Sequence, residues 1–215
     1  MPFPKQRPMK THFSALLLLG ACVASLLIPA RAAASATRPD VTKLVAEAER
    51  YQPGESREPF RQLENLLRED SSGARKQLEQ ALIRLLGTNC AYEAREFACT
   101  QLGIIGSKAA LPALAGLLKH EDTAGIACLA LTTYPPGKAD TVLRTALMSA
   151  QGTPRLQIIT TLGDRRDAKA VKELAALACN SDDAVAEAAL ASLGKIGNEA
   201  AWKAIATVSM ANAPG

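Results

Sequence analysis

Hydrophobic residues recur along the chain at two spacings, one that fits a helix and a longer one that indicates a repeat. Within single stretches they are three and four residues apart, which places them on one face of a helix, as at Leu111, Leu114, Leu117 and Leu118. Over the longer distance a column of leucines recurs at steps of 29, 31 and 31 residues. Three apolar columns share these steps: Leu102, Leu131, Leu162 and Leu193; Leu114, Leu143, Leu174 and Ile205; and Ala98, Ala127, Ile158 and Ala189. An internal repeat therefore dominates the sequence.

Each repeat contains two helical patterns, separated by short turns that force the two helices to be antiparallel. Residue types that favour helix starts, namely Ser107, Asp167, Asn198 and the pair Thr153-Pro154, precede several of these patterns. Gly103, Gly163 and Gly194 follow the last leucine of the second helix and are predicted to be left-handed C-caps. A pair of helices buries only one face alone, so neighbouring pairs must stack. The predicted fold is all-α, a right-handed α-solenoid of stacked antiparallel helix pairs.

The predicted domain organisation has four parts. Residues 1–36 form a signal peptide, residues 37–90 an N-terminal helical capping segment, residues 91–211 the repeats and residues 212–215 a disordered tail. The capping segment holds three helical patterns, at about 40–51, 56–70 and 72–86, that do not follow the repeat spacing. An atypical terminal unit is expected of a solenoid, because a regular repeat would leave its stacking surface in water.

The first 36 residues have the layout of a secretory signal. Lys5, Arg7 and Lys10 precede an apolar run of about 16 residues, shorter than the roughly 20 that span a bilayer, and small residues follow. Cleavage after Ala34 or Ala36 is expected, and an uncleaved anchor is the alternative. A second alternative is a lipoprotein, since Leu19-Gly20-Ala21-Cys22 resembles a lipobox that would lipidate Cys22. The sequence thus predicts a protein that is exported to the periplasm or the cell exterior.

The charge of the chain argues against nucleic acid as a partner. The four basic residues of the N-terminal segment account for the whole excess of 25 basic over 21 acidic residues, so the rest of the chain has no net charge. A protein that follows a phosphate backbone would keep an excess of Lys and Arg. No membrane contact is expected after signal cleavage either.

The repeat pattern resembles the HEAT family. The form Leu-Gly-x-Ile-Gly-x-x-x-Ala, a following Leu-Leu helix and an acidic turn, as at Glu121-Asp122 and Asp182-Asp183, are similar to HEAT or HEAT-like repeats over residues 91–211. The stretches 93–105 and 156–170 resemble a group of exported bacterial HEAT proteins, in which the repeats are often one part of a larger chain. The pattern is broken at Tyr134-Pro135-Pro136-Gly137, where a looser or shifted turn is expected.

Catalytic motifs are missing from the sequence. Of two histidines, His12 lies in the signal segment and His120 in a predicted surface turn, so neither a Ser-His-Asp arrangement nor a multi-histidine metal site is predicted. No Cys-x-x-Cys pair and no phosphate-binding Gly-Lys-Ser/Thr loop occurs. We therefore expect no enzyme activity, no catalytic residue, no metal site and no cofactor. Arg165-Arg166-Asp167 is either an anion site before a helix or, as such a sequence more commonly is, a salt bridge in a turn.

Four cysteines follow the signal segment, Cys90, Cys99, Cys128 and Cys179. Cys99 and Cys128 lie one repeat apart, in a column with Ile159 and Leu190. Stacked helices have axes about 8–10 Å apart, whereas a disulfide needs Cα atoms about 4.4–6.8 Å apart. Two buried thiols are therefore favoured over a bridge, and no disulfide is predicted.

The predicted function is a non-catalytic scaffold for protein–protein interaction in the bacterial cell envelope. The second helices would present the binding surface, with these exposed residues: Glu96, Thr100, Arg155, Thr160 and Glu187. Their mixed charge favours a protein or peptide partner. One alternative comes from the resemblance of some HEAT-like proteins to bilin lyases, which attach a chromophore to a partner, and another is a structural spacer module of a larger exported protein.

The last predicted helix, from Glu199 to about Met210, leaves two interpretations open. It carries Trp202, Ile205 and Val208, and no second helix of its repeat follows in the sequence. Either this helix lies across the end of the solenoid and closes it, or an apolar end remains and the protein associates end to end.

Overall fold

The computed structural model describes residues 40–68 and 72–211, and within these ranges the structure is helical without any strand. The helices are α1 Val41–Arg50, α2 Glu58–Arg68, α3 Ser72–Leu86, α4 Tyr92–Ile105, α5 Leu111–Leu117, α6 Ala124–Thr132, α7 Lys138–Leu147, α8 Gly152–Asp164, α9 Val171–Leu177, α10 Asp183–Ile196 and α11 Glu199–Ala211. The signal segment, with its candidate cleavage sites and Cys22, and the tail 212–215 lie outside the described residues.

The helices form antiparallel pairs that stack in chain order, which confirms the predicted α-solenoid. The pairs are α3 with α4, α5 with α6, α7 with α8, and α9 with α10. Each second helix packs on the second helix of the next pair, so that α4, α6, α8 and α10 form one continuous layer, here called the second-helix layer. Helices α1 and α2 pack on each other and on α3, where the capping segment was predicted.

The core follows the predicted columns. All four leucines of the first column, Leu102, Leu131, Leu162 and Leu193, are completely buried. The column of Leu114 is equally buried up to Leu174, but its last member, Ile205, is only partly buried. Phe60 links the capping segment to the repeats, because its ring lies 5.0 Å from the ring of Tyr51 and 4.9 Å from that of Phe97. One apolar core therefore runs from α1 to α11.

The predicted helix starts are partly confirmed. Asp167 accepts a hydrogen bond from the N–H of Lys169, and Asn198 accepts one from the N–H of Ala201. Ser107 does not cap α5, which begins only at Leu111. Its hydroxyl accepts a hydrogen bond from the N–H of Ala109, in the turn that precedes α5. The prediction for Thr153 is wrong: α8 already begins at Gly152, and the Thr153 hydroxyl donates to Glu121 in the preceding repeat.

The prediction that Gly103, Gly163 and Gly194 are C-caps is also wrong. All three lie inside helices, whereas Gly197, with φ of 65°, forms a left-handed cap at the end of α10. Two of the three are glycine because neighbouring helices touch there. A Cβ on Gly103 would lie 3.2 Å from the backbone of Ala130, and one on Gly163 would lie 2.7 Å from Ser192. These glycines set the distance between second helices.

Candidate binding surface

Four of the five predicted binding residues lie exposed on the second-helix layer. Glu96 and Thr100 are on α4, Thr160 is on α8 and Glu187 is on α10. The repeat spacing makes Thr160 the equivalent of Thr100, and Glu187 the equivalent of Glu96, so these residues form two parallel columns across the layer. Arg155 does not belong with them. It falls in the neighbouring column and is half-buried, with its Nε shielded from solvent.

Exposed apolar side chains on the same layer were missed by the sequence reasoning. Tyr92, Ile104 and Leu129 have 45%, 69% and 61% of their surface exposed, although large apolar residues usually bury most of it. A signal was available for Leu129, because it occupies the column of Thr100 and Thr160 and had to point the same way. Apolar side chains are thus exposed on α4 and α6, on the same layer as the exposed acidic residues Glu96 and Glu187.

A shallow groove of about 350 Å³ lies between α6 and α8 on this surface. Leu129 and Leu156 form its apolar walls, and Thr132, Thr160 and Asp164 supply polar edges. The amide nitrogen of Gln157 would lie only 3.1 Å from a Cβ on Gly125. The glycine therefore leaves room for the Gln157 side chain at the wall of the groove. The groove can accommodate one apolar side chain of a partner, with hydroxyl groups beside it for hydrogen bonds.

Cys128 also contributes to this groove, but it is not a reactive thiol. Burial raises its pKa to about 11, against a weaker opposing effect of a hydrogen bond with Thr161. Burial likewise raises the pKa of Cys99 to about 12, with a further contribution from Cys90. Because the thiolate is the nucleophile, both cysteines remain protonated and behave as small apolar residues. The four cysteines are free thiols in this structure, and Cys179 is the exposed one.

The Arg165-Arg166-Asp167 sequence forms neither an open anion site nor a bridge within its own turn. The guanidinium of Arg165 is buried against the carboxylate of Asp140 on α7. It also donates to the carbonyl oxygens of Leu131 and Thr132 at the end of α6, and to those of Tyr134 and Pro135 in the turn after it. Asp167 pairs with Arg144 on α7. The two ion pairs tie α8 and the turn after it to α7, while the carbonyl contacts of Arg165 tie α8 to the preceding repeat. Of the three residues only Arg166 is exposed.

The irregular turn at Tyr134–Gly137 takes its shape from this buried pair. One guanidinium donates to four carbonyl groups, two at the end of α6, where a helix leaves carbonyls without intrahelical donors, and two in the turn that follows. Its positive charge also suits the negative end of the α6 dipole. Gly137 then turns the chain with φ of 117°, and its N–H donates to Asp140. The departure from the repeat pattern at this turn is thus a structural joint between repeats.

Among the described residues, the structure brings together no group of side chains that resembles a catalytic or metal-binding site. His120 is exposed in the turn before α6, and no group of three or more His, Cys, Asp or Glu side chains in residues 40–68 and 72–211 could hold a metal ion. Within the same ranges, none of the helices is both long and apolar enough to cross a membrane. The surface described above is therefore the strongest candidate for a functional site.

Comparison with known proteins identifies the repeats. Residues 141–209, which run from α7 to α11, match the family model of HEAT repeats. No curated protein matches the chain. Over residues 141–209 the match confirms the resemblance to HEAT repeats, and proteins with HEAT repeats commonly mediate protein interactions.

Proposed function

We propose that this HEAT-repeat chain is a non-catalytic scaffold of the bacterial cell envelope, which binds a protein partner through its second-helix layer. One observation carries the proposal: Leu129, with 61% of its surface exposed, forms one wall of a groove that fits a side chain, on the layer that also exposes Tyr92 and Ile104 at the two ends of α4. An exposed apolar side chain with polar groups beside it is typical of protein interaction sites. The balanced charge of residues 37–215 supports a protein partner over a polyanion.

Location in the envelope is supported by the N-terminal segment alone. Its basic start, apolar run and small-residue end follow the order of a secretory signal. A scaffold exported in this way would meet partners in the periplasm or outside the cell. The lipoprotein alternative would keep the same repeats tethered to a membrane through Cys22.

Export is tested by N-terminal sequencing of the protein recovered from a bacterial host. The expected first residue is near Ser35 or Thr37, because the small residues that a signal peptidase requires precede both positions. An intact Met1 on soluble cytosolic protein would contradict export. A mature protein that begins at a lipid-modified Cys22 would contradict cleavage near Ala34 and support the lipoprotein alternative.

The binding surface is tested by a charge placed on it. Leu129→Glu is expected to abolish the capture of envelope proteins that wild-type protein retains, because a carboxylate in the groove would be desolvated by the partner. Leu129 is exposed, so the fold should survive, which circular dichroism would verify. Met148→Glu is the matched control, since Met148 is 76% exposed on the turn between α7 and α8. Equal capture by Leu129→Glu and wild type would contradict the proposed surface.

A further inference from the structure

One side of α10 and α11 has the composition of an internal stacking surface but is exposed. The column of Leu111, Asp140 and Val171 is 6%, 8% and 9% exposed, whereas its fourth member, Trp202, is 58% exposed. The column of Cys99, Cys128 and Ile159 is buried, while its fourth member, Leu190, is only partly buried. Inside the solenoid these columns are covered by the next repeat, and no described residue covers them here.

Gly194 shows that this side has the shape of a helix-packing surface. Its equivalents, Gly103 and Gly163, are in close contact with the next second helix, at Ala130 and Ser192. Around Gly194 there is nothing within 4 Å of an added Cβ. A helix with a small residue at the contact point could therefore approach α10 as closely as α10 approaches α8. We call this surface the end face, formed by Leu190, Gly194, Trp202 and Ile205.

We propose that the end face binds the end face of a second copy, so that two solenoids join tail to tail in a closed dimer. The surface continues the inter-repeat packing already established inside the chain, and none of its four residues is charged. It also presents both an exposed large side chain, Trp202, and a position without a side chain, Gly194, where nothing lies within 4 Å of an added Cβ and which is here called the recess. A two-fold contact requires both on one surface, because each copy must fill the recess of the other.

Charge excludes the opposite end of the solenoid as the partner surface. The exposed sides of α1 and α2 carry ions of both signs, including Lys43, Glu47, Glu49, Arg50 and Arg61. Stacking an uncharged face on them would remove these ions from water, which is costly even for those that are paired, as Lys43 is with Glu47 and Arg61 with Glu58. The contact therefore pairs like ends and stops at two copies, instead of growing head to tail into a filament. This inference does not depend on the proposed function of the second-helix layer.

Sedimentation velocity over a wide range of protein concentration tests the dimer. The expected result is a monomer–dimer equilibrium, accompanied by a blue shift of tryptophan emission as concentration rises, because Trp202 is the only tryptophan. Trp202→Glu is expected to raise the dissociation constant about tenfold or more, since truncated tryptophans weaken interfaces strongly. Met148→Glu, an equally exposed apolar-to-acid change away from the end face, should leave the equilibrium unchanged.

Gly194→Leu separates loss of contact from loss of fold. In the monomer the added side chain meets nothing, and leucine favours a helix more than glycine, so thermal stability at low concentration should not fall. In the dimer the same side chain would fill the recess and weaken association. A wild-type monomer at every concentration would overturn the proposal. So would species larger than dimers, or dimers that Trp202→Glu and Gly194→Leu leave intact.

Discussion

Replacing Asp140 with alanine is expected to destabilise the protein by about 3–5 kcal/mol, the usual cost of removing one partner of a buried ion pair. The side chain of Arg165 is only 4% exposed, so its charge would remain buried without a carboxylate. The N–H of Gly137 would lose its acceptor as well. Urea denaturation followed by circular dichroism measures the change in the free energy of unfolding.

Asp164→Ala is the control for this change. Asp164 forms a long-range ion pair between α8 and α10, with Lys195 at 2.6 Å, and both side chains are nearly half exposed. An exposed pair contributes about 0–1 kcal/mol, so the loss should be small. If the two alanine variants lost equal stability, burial of the Arg165 pair would not be the cause.

Acid titration should reveal the same pair. Burial tends to raise the pKa of Asp140, but hydrogen bonds from Arg165 and the Gly137 N–H, together with the charges of Arg165 and Arg144, lower it below its ordinary value of 3.8. A carboxyl whose pKa is lower in the folded state stabilises the protein above the unfolded value. That contribution is lost as pH falls from about 3.8 through the lower folded pKa. Asp140→Asn should remove this part of the pH dependence.

Leu162→Ala is the second large effect, with an expected loss of about 2–5 kcal/mol for a buried leucine and the cavity it leaves. Leu162 is completely buried at the centre of the leucine column. Lys169→Ala, at an exposed position on the following turn, should change stability by only about 0.5 kcal/mol or less. Equal, small losses in both variants, measured in urea, would contradict the assignment of the column to the core.

The repeat spacing predicted the core because burial in a solenoid recurs with the chain. The same buried environment recurs once in each repeat, at Leu102, Leu131, Leu162 and Leu193. The regular spacing of these leucines in the sequence therefore reflects their burial. The glycines were misinterpreted because a glycine after a leucine has two physical causes. It can end a helix, as Gly197 does, or admit a neighbouring helix, as Gly163 does, and a single sequence does not distinguish them.

The binding surface could be predicted where it follows the same spacing and not elsewhere. Leu129 lies in the same column as Thr100 and Thr160, so the repeat spacing also predicts that Leu129 is exposed. The ion pair of Arg165 could not be predicted in this way, because its partner Asp140 lies 25 residues away, on the helix that follows the irregular turn. The shape of that turn depends on the ion pair itself. No local pattern records such a contact.

The glycine column also bears on how an array of this kind can lengthen. Gly103 and Gly163 are constrained by the neighbouring second helix, whereas within one chain nothing lies within 4 Å of a Cβ added at Gly194. Whether a side chain is tolerated at this position of the repeat thus depends on whether another repeat packs against it. An array in which a side chain had accumulated at Gly194 could no longer accept another second helix there. Glycine at this position preserves the capacity for an added unit.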